Sequence, residues 1–194
     1  MIYERGAAIR YVYFPDDSMI SLVALAERGE GVEVGLVGRD SMVGTPLVLG
    51  SHTSPVRAIV QGAGSAMRMS TAQFLAELRR SATLRRRLEH CIYVSMSTAM
   101  QVAVCNKAHT LAARFARWLL MVRDRLARDE FPLTQEFLAK MLGVRRAGVT
   151  EAASALQRRK LIGYTRGQIR ILDARRLRAA ACSCYAVIRK LENS

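Results

Sequence analysis

The sequence lacks any apolar run long enough to cross a membrane. Its longest helix-compatible stretch without a charged side chain, Cys91 to Asn106, covers 16 residues and includes Ser95, Ser97, Thr98 and Gln101. A membrane span needs roughly 18 apolar residues. The opening residues, MIYERGAAIRYVYF, lack the basic-then-apolar pattern of an export signal, so a cytoplasmic location and no membrane partner are expected. Cysteine is scarce: four residues, none before Cys91 and none in framework spacing, which suits a reducing compartment rather than a secreted disulfide scaffold. Catalytic signatures are missing as well. Gly29, Gly31 and Gly35 fall in a strand–turn region rather than opening a helix, and there is no Walker-type lysine, no His-Glu-x-x-His and no usefully spaced carboxylate pair. An enzyme is therefore not expected, and no cofactor is assigned.

What is present is positive charge, and it is unevenly placed. The 194 residues carry a formal charge of +14. Residues 1–80 hold eight arginines, eight acids and no lysine, whereas residues 81–194 hold 22 basic and 8 acidic residues. The first half is neutral and the second carries the whole excess. A basic half has polyanions as its natural partners, although a cationic solvated surface would leave the same mark.

The halves also differ in pattern. Residues 1–70 read as short strands, Ile9–Tyr13, Met19–Ala26, Gly31–Val37, Ala58–Val60 and Ser65–Met69. Turn residues separate them at Pro15-Asp16-Asp17, Arg28-Gly29-Glu30-Gly31 and Gly38-Arg39-Asp40, which suggests a small barrel or sandwich. The segment Gly44–Pro55, with two prolines and two glycines, is not expected to hold a regular element for long. From Ser70 the signal is helical. Ser70 or Thr71 caps a short helix through Leu78, and a second helix runs without Gly or Pro from Ala82 to about Ala108. Its Cys91–Cys105 stretch is apolar almost all round, so every face must be covered. Leu84, Leu88, Cys91, Thr98, Val102 and Cys105 recur at 3-4 spacing, which predicts a two-helix seam and a homodimer, a central core helix of a monomer being the alternative. A third helix from Leu111 to about Ala127 aligns Leu111, Phe115, Trp118, Leu119 and Val122, and Asp129-Glu130-Phe131-Pro132 is read as a break in the chain.

Leu133 to Asp173 carries the most information. Thr134 is a good N-cap after Pro132, and Phe137, Leu138, Met141 and Leu142 form one face of a two-turn helix. Gly143 sits where a helix ends in a left-handed residue, and Val144-Arg145 fills a tight turn. In the following helix Val149, Ala152, Ala153 and Leu156 make the core face. Ala147, Thr150, Glu151, Ser154 and Arg158 point away from it, with Arg146 at the start. Two short helices joined through a Gly turn describe a helix-turn-helix. Ile162–Thr165, Arg166-Gly167 and Gln168–Leu172 then read as a hairpin, a wing with arginine at its tip. Gly148 is unusual, because a mid-helix glycine costs roughly 1 kcal/mol against alanine; close approach to DNA or simple tolerance would both account for it.

The segments LTQEFLAKMLGVRRAGVTEAASALQ, GYTRGQIRILD and AACSCY resemble the C-terminal domain of the Crp/Fnr family of bacterial transcriptional regulators. Upstream, VYFPDDSMISLVAL, VEVGLVGRDSMVG and SPVRAIVQ resemble that family's N-terminal sensory roll, so the likeness covers nearly the whole chain. It implies an α+β protein with a cyclic-nucleotide-binding-like β-roll over 1–81, a dimerisation helix over 82–108 and a winged helix-turn-helix over 109–194. It implies sequence-specific binding of a pseudo-palindromic DNA by a homodimer, with RNA polymerase as a further partner. Sequence-independent nucleic-acid or nucleoid binding remains the alternative that charge alone allows. By the resemblance, Thr134 contacts phosphate, and Arg146, Ala147, Thr150 and Glu151 read bases; Ala147 stands where many members carry Glu. Arginine bidentate to guanine and a carboxylate accepting from cytosine are chemically sound readers. Gln135, Arg145, Arg166 and Arg170 are candidate phosphate contacts.

The roll departs from its relatives. Members that hold cyclic AMP use a Gly-Glu pair and an Arg-Ser or Arg-Thr pair, but Met42–Leu47 contains no Glu and Arg57 falls about three positions late. Cyclic AMP is therefore not the expected effector, no effector-binding residues are assigned, and Arg57 reads better as structural. The helix that usually precedes the roll is missing, implying a shortened N-terminus. No metal site is expected: iron–sulfur members gather cysteines near the N-terminus, His52, His90 and His109 are scattered, and Cys182-x-Cys184 is without further ligands close in sequence.

Overall fold

The computed structural model describes residues 1–26, 31–165 and 167–193. The predicted turn at Arg28, Gly29 and Glu30 and the wing-tip Arg166 lie outside the described residues.

The N-terminal half is a roll of two small antiparallel sheets. β1 (Tyr11–Pro15) pairs with β5 (Ala66–Ser70), and β2 (Met19–Leu25) lies between β3 (Gly31–Val37) and β4 (Arg57–Gly62). The predicted strands are all present, Gly31–Val37 with the same bounds and the others with ends displaced by at most two residues. A single 3-10 helix, Thr45–Leu49, interrupts the Pro/Gly-rich connection. β2 explains how the roll joins the rest of the molecule. Side chains alternate across a strand, and here both faces are covered. Ile20 packs inside the roll with Val37, Val43 and Ala58, while Met19 and Val23 belong to the main core with Phe115, Leu119 and Val122.

Ser70 and Gln73 form a capping box at the start of α1 (Thr71–Arg80). Ser81 caps α2 (Ala82–Ala108), its hydroxyl accepting from the Leu84 amide at 3.1 Å. The orientation of α2 corrects the seam read from spacing. Leu84 and Leu88 pack on the roll core with Phe74, Val102 packs on the main core, and Cys105 is fully buried beside Cys182 and Cys184. That stripe faces the chain's own interior. The outward stripe is Tyr93, Met96, Met100 and Val104, all more than half exposed. A helix apolar on nearly every face gives no periodic sign of which stripe turns inward.

α3 (Leu111–Leu126) is the buried spine of the second half, its predicted stripe Phe115, Trp118, Leu119 and Val122 almost wholly out of water. The predicted break that follows is instead a strand, β6 (Glu130–Pro132). It adds to the wing sheet in the order β6-β8-β7 and buries Phe131 opposite Ile169. Pro132 is tolerated because β6 is an edge strand. α4 (Gln135–Leu142), α5 (Arg146–Arg158), β7 (Ile162–Thr165) and β8 (Gln168–Ile171) form the winged helix-turn-helix. α6 (Ala174–Ala180) and α7 (Cys184–Glu192) close the chain over α3 and α2. Among the described residues no helix is long and apolar enough to cross a membrane.

One buried cation ties these parts together. The Arg125 guanidinium on α3 reaches Asp40 at 3.1 Å and Glu192 of α7 at 2.9 Å. It also donates to the carbonyls of Leu36 at 3.1 Å and Met121 at 3.2 Å. Removing one partner of a buried pair strands the other charge. Arg125→Ala should therefore cost about 3–5 kcal/mol in urea unfolding, and Asp40→Asn, at a more exposed partner, should cost less.

Candidate nucleic-acid interface

The helix-turn-helix is set by its caps and turn. The Thr134 hydroxyl accepts from the Phe137 amide at 3.2 Å and starts α4. Gly143 ends that helix at φ 62°, ψ 41°, the left-handed conformation glycine adopts without steric cost. Leu138, Met141 and Leu142 of α4 and Val149, Ala152, Ala153 and Leu156 of α5 are buried together, as the sequence pattern predicts. Gly148 has a packing reason: a β-carbon there would lie 3.1 Å from Leu111 Cδ2. The tight neighbour is the end of a leucine side chain on α3.

The opposite face of α5 is open to solvent. Arg145, Arg146, Ala147, Thr150 and Glu151 are all exposed on its first turns, and the Arg145 side chain makes no capping bond. Gln135, Arg146 and Thr150 come together across the two helices. The Gln135 amide oxygen accepts from Arg146 Nε at 3.4 Å and Thr150 Oγ1 at 3.2 Å. The wing stands beside them: Tyr164 donates its hydroxyl to the Leu133 carbonyl at 2.9 Å, and the Leu133 amide donates to Gly167 at 2.6 Å. Arg170 is exposed on β8, with Glu130 at 4.0 Å. Thr134, Gln135, Arg145, Arg146, Ala147, Thr150, Glu151 and Arg170 thus lie on one domain, on α4, α5 and the wing. Arg166 is outside the described residues.

In the roll, Arg57 is engaged by Glu4 at 2.7 Å, both half-buried. Glu33 on β3 accepts from Ser21 Oγ at 2.5 Å and Trp118 Nε1 at 2.8 Å. Trp118 in turn lies against Phe137 of α4, ring centroids 6.3 Å apart. A carboxylate in the roll therefore supports the helix that begins the helix-turn-helix.

Sequence reasoning weighed His109, Cys182 and Cys184 separately and did not join them with Cys105 into one cluster. Cys105 and His109 at the end of α2 meet Cys182 and Cys184 from the α6–α7 junction. Their ligand-type atoms all lie within 4.8 Å of one another. Cys105 Sγ is 3.3 Å from Cys182 Sγ, and Cys184 Sγ is 3.6 Å from His109 Nδ1. Burial, with the neighbouring thiols adding to it, pushes the free Cys105 thiol up to about 12. The signal was a Cys-x-x-x-His at helical i, i+4 spacing and a distant Cys-x-Cys; only the fold joins them.

The fold defines a winged helix-turn-helix protein with an N-terminal β-roll and an exposed face on α5. Residues 113–180 match the Crp-like helix-turn-helix domain family. The whole architecture is similar to that of a CRP-family transcriptional regulator of Thermus thermophilus, at TM-score 0.74 and 20% identity over 93% of this chain and 92% of that one. It is also similar to FixK2 of Bradyrhizobium japonicum, at TM-score 0.79 and 18% identity over 94% and 92% of the two chains. A third likeness is to the c-di-GMP responsive global regulator CLP of Xanthomonas campestris, at TM-score 0.69 and 14% identity over 89% of each chain. No curated protein matches in sequence. The chain is Crp-like by sequence in its helix-turn-helix domain and Crp/Fnr-like by fold over nearly its whole length.

Glu33 gives the contact between roll and helix-turn-helix a pH dependence. Burial raises its carboxyl above the ordinary 4.5, outweighing Ser21, Trp118 and the charges of Arg125 and Arg117, which all lower it. A raised acid favours the folded state when protonated. Its contribution is complete below the ordinary carboxyl value and is lost as pH rises through the raised one. Glu33→Gln keeps an acceptor oxygen and cannot ionise. Urea titrations across pH should show the wild type losing stability relative to Glu33→Gln over that window, with a constant difference outside it.

Proposed function

We propose that this chain is a transcriptional regulator that binds a pseudo-palindromic duplex DNA as a homodimer and without cyclic AMP. The observation that carries the reading is the solvent-facing N-terminal face of α5, held beside a wing in a Crp-like domain. In this reading residues 1–81 are a sensor, 82–108 the pairing helix and 109–194 the DNA-binding domain. Arg146 is the reader of guanine and Glu151 the acceptor from cytosine, with Ala147 and Thr150 against the same base edges. Thr134, Gln135, Arg145, Arg170 and, from sequence, Arg166 meet phosphates, which position the protein without reading sequence. The occupation of Arg57 by Glu4 and the lack of a Glu in Met42–Leu47 support independence from cyclic AMP. Activity is regulatory rather than enzymatic, the location cytoplasmic, and RNA polymerase the implied further partner.

The dimer rests on Tyr93, Met96, Met100 and Val104, exposed at 57%, 54%, 64% and 58% along one side of α2. Apolar side chains in such a row are characteristic of an interaction face, and their 3-4 spacing suits a second copy of the helix. Sedimentation at micromolar concentration should give a mass near twice 21.5 kDa, and Met100→Glu should shift the chain toward monomer. A wild type that stays monomeric removes the palindrome with the dimer.

DNA selected from a random pool should contain half-sites about one helical turn apart, with affinity falling steeply as salt rises. Arg146→Ala should cost about 1–3 kcal/mol per half-site and relax preference at one base pair. Arg170→Ala should weaken all sequences alike and reduce the salt slope by about 1. Each change removes one positive charge from the same domain, so their difference isolates base reading. Equal losses on selected and random DNA would favour sequence-independent binding instead.

A further inference from the structure

We propose that Cys105, His109, Cys182 and Cys184 bind one divalent transition-metal ion, zinc by ligand type, in a tetrahedral Cys3His site that fastens the end of α2 to the α6–α7 junction. The inference goes beyond DNA binding and does not depend on it.

Geometry comes first. Zinc–sulfur bonds of about 2.3 Å and zinc–nitrogen bonds of about 2.0–2.1 Å at tetrahedral angles place ligand atoms about 3.4–3.8 Å apart. The Cys105–Cys182 sulfurs stand 3.3 Å apart and the Cys184 sulfur 3.6 Å from His109 Nδ1, with all four atoms inside 4.8 Å. That spread brackets a single ion. Backbone bonds hold the ligands in place: the His109 amide donates to the Cys105 carbonyl at 3.1 Å, and the Cys182 amide to the Ala113 carbonyl at 3.4 Å. Gln101 Nε2 donates to Cys184 Sγ at 3.1 Å, the kind of outer hydrogen bond that orients and tunes a metal ligand.

The electrostatic surroundings favour the same conclusion. Free buried cysteines are ordinary small hydrophobes, and that would explain each sulfur singly. It does not explain why two arginines share their neighbourhood. Arg114 and Arg117 are buried and within electrostatic range of the sulfurs. The Nε of each is buried with no hydrogen-bond partner among the described residues, and neither makes an ion pair there. Arg114 Nη2 donates to the Leu142 carbonyl at 2.6 Å and Arg117 Nη1 reaches the Met121 thioether at 3.0 Å, with Glu33 the carboxylate within electrostatic range of Arg117. Buried cations call for negative charge. Zinc entering three thiols and a neutral imidazole releases three protons to solvent and leaves a complex of net charge −1, with no electron transferred. That charge would lie within electrostatic range of the two guanidiniums.

The full-length chain, kept reduced and stripped with a chelator, should take up one Co2+ per chain and develop the visible bands of tetrahedral cobalt together with thiolate-to-cobalt charge transfer. Zn2+ should displace the cobalt, bleach the bands and raise the melting temperature through preferential binding to the folded state. Cys182→Ser with Cys184→Ser should abolish the charge-transfer band and the stoichiometric uptake. Gln101→Ala should keep the stoichiometry with affinity about 10–100-fold lower, and Cys91→Ser, outside the cluster, should change nothing. Should the double variant fail to fold, the wild-type spectrum and a changed band position in His109→Ala decide the matter. The proposal is overturned if the wild type binds no cobalt, if the bound ion is octahedral, or if Cys91→Ser loses as much as the double variant. It is equally overturned if the reduced chain holds a Cys105–Cys182 disulfide and takes up no metal. No DNA enters these readouts, so failure here and failure of the regulator reading are distinguishable.

Discussion

Arg125 fixes how the two halves of this protein sit together. Its guanidinium is nearly removed from solvent yet faces two carboxylates and two carbonyls from three parts of the chain: the β3 edge and the turn after it, α3 itself, and the C-terminal α7. A planar group with five donors in a rigid fork suits such a junction, whereas an ammonium has three. Because a buried charge must keep its partners, the arrangement of α3, α7 and the roll becomes a single choice rather than three. The helix-turn-helix then inherits its position, since α3 forms the floor on which α5 and α6 pack.

The helix-turn-helix was legible in the sequence because each of its parts is encoded locally. A threonine cap at Thr134, a left-handed glycine at Gly143 and a small-residue core stripe on α5 require nothing distant to be recognised. The paired strands of the wing are of the same kind. β6 was not legible. Three residues containing a proline carry no periodicity, and only the buried Phe131 opposite Ile169 makes them a strand. The inner and outer faces of α2 were likewise hidden, because a helix with Cys, Met, Val and Ala on most sides looks alike from every direction. What decides its orientation is the placement of Phe74, Ala113 and Cys182, all remote in sequence.

The candidate DNA-facing residues followed from the motif, but Gly148 shows the limit of reading a residue by its neighbours in sequence. The neighbour that a side chain there would meet is Leu111, on another helix. The Cys105–His109–Cys182–Cys184 cluster makes the same point more strongly. Each half is a pair at plausible ligand spacing, and neither is convincing until α7 is laid across the end of α2. Close packing, not local pattern, brings them within reach of one ion.

The double duty of β2 limits how freely the two halves can be exchanged. Ile20 belongs to the interior of the roll, while Met19 and Val23, on the same seven-residue strand, belong to the core beneath the helix-turn-helix. A hybrid that grafted this helix-turn-helix half onto a foreign roll would import a strand whose back face was shaped for a different spine. The natural unit for recombination is therefore not a cut at the linker between α2 and α3. It is the spine together with the alternate side chains of the strand behind it, so exchange at the linker alone leaves Phe115 and Leu119 facing the wrong surface.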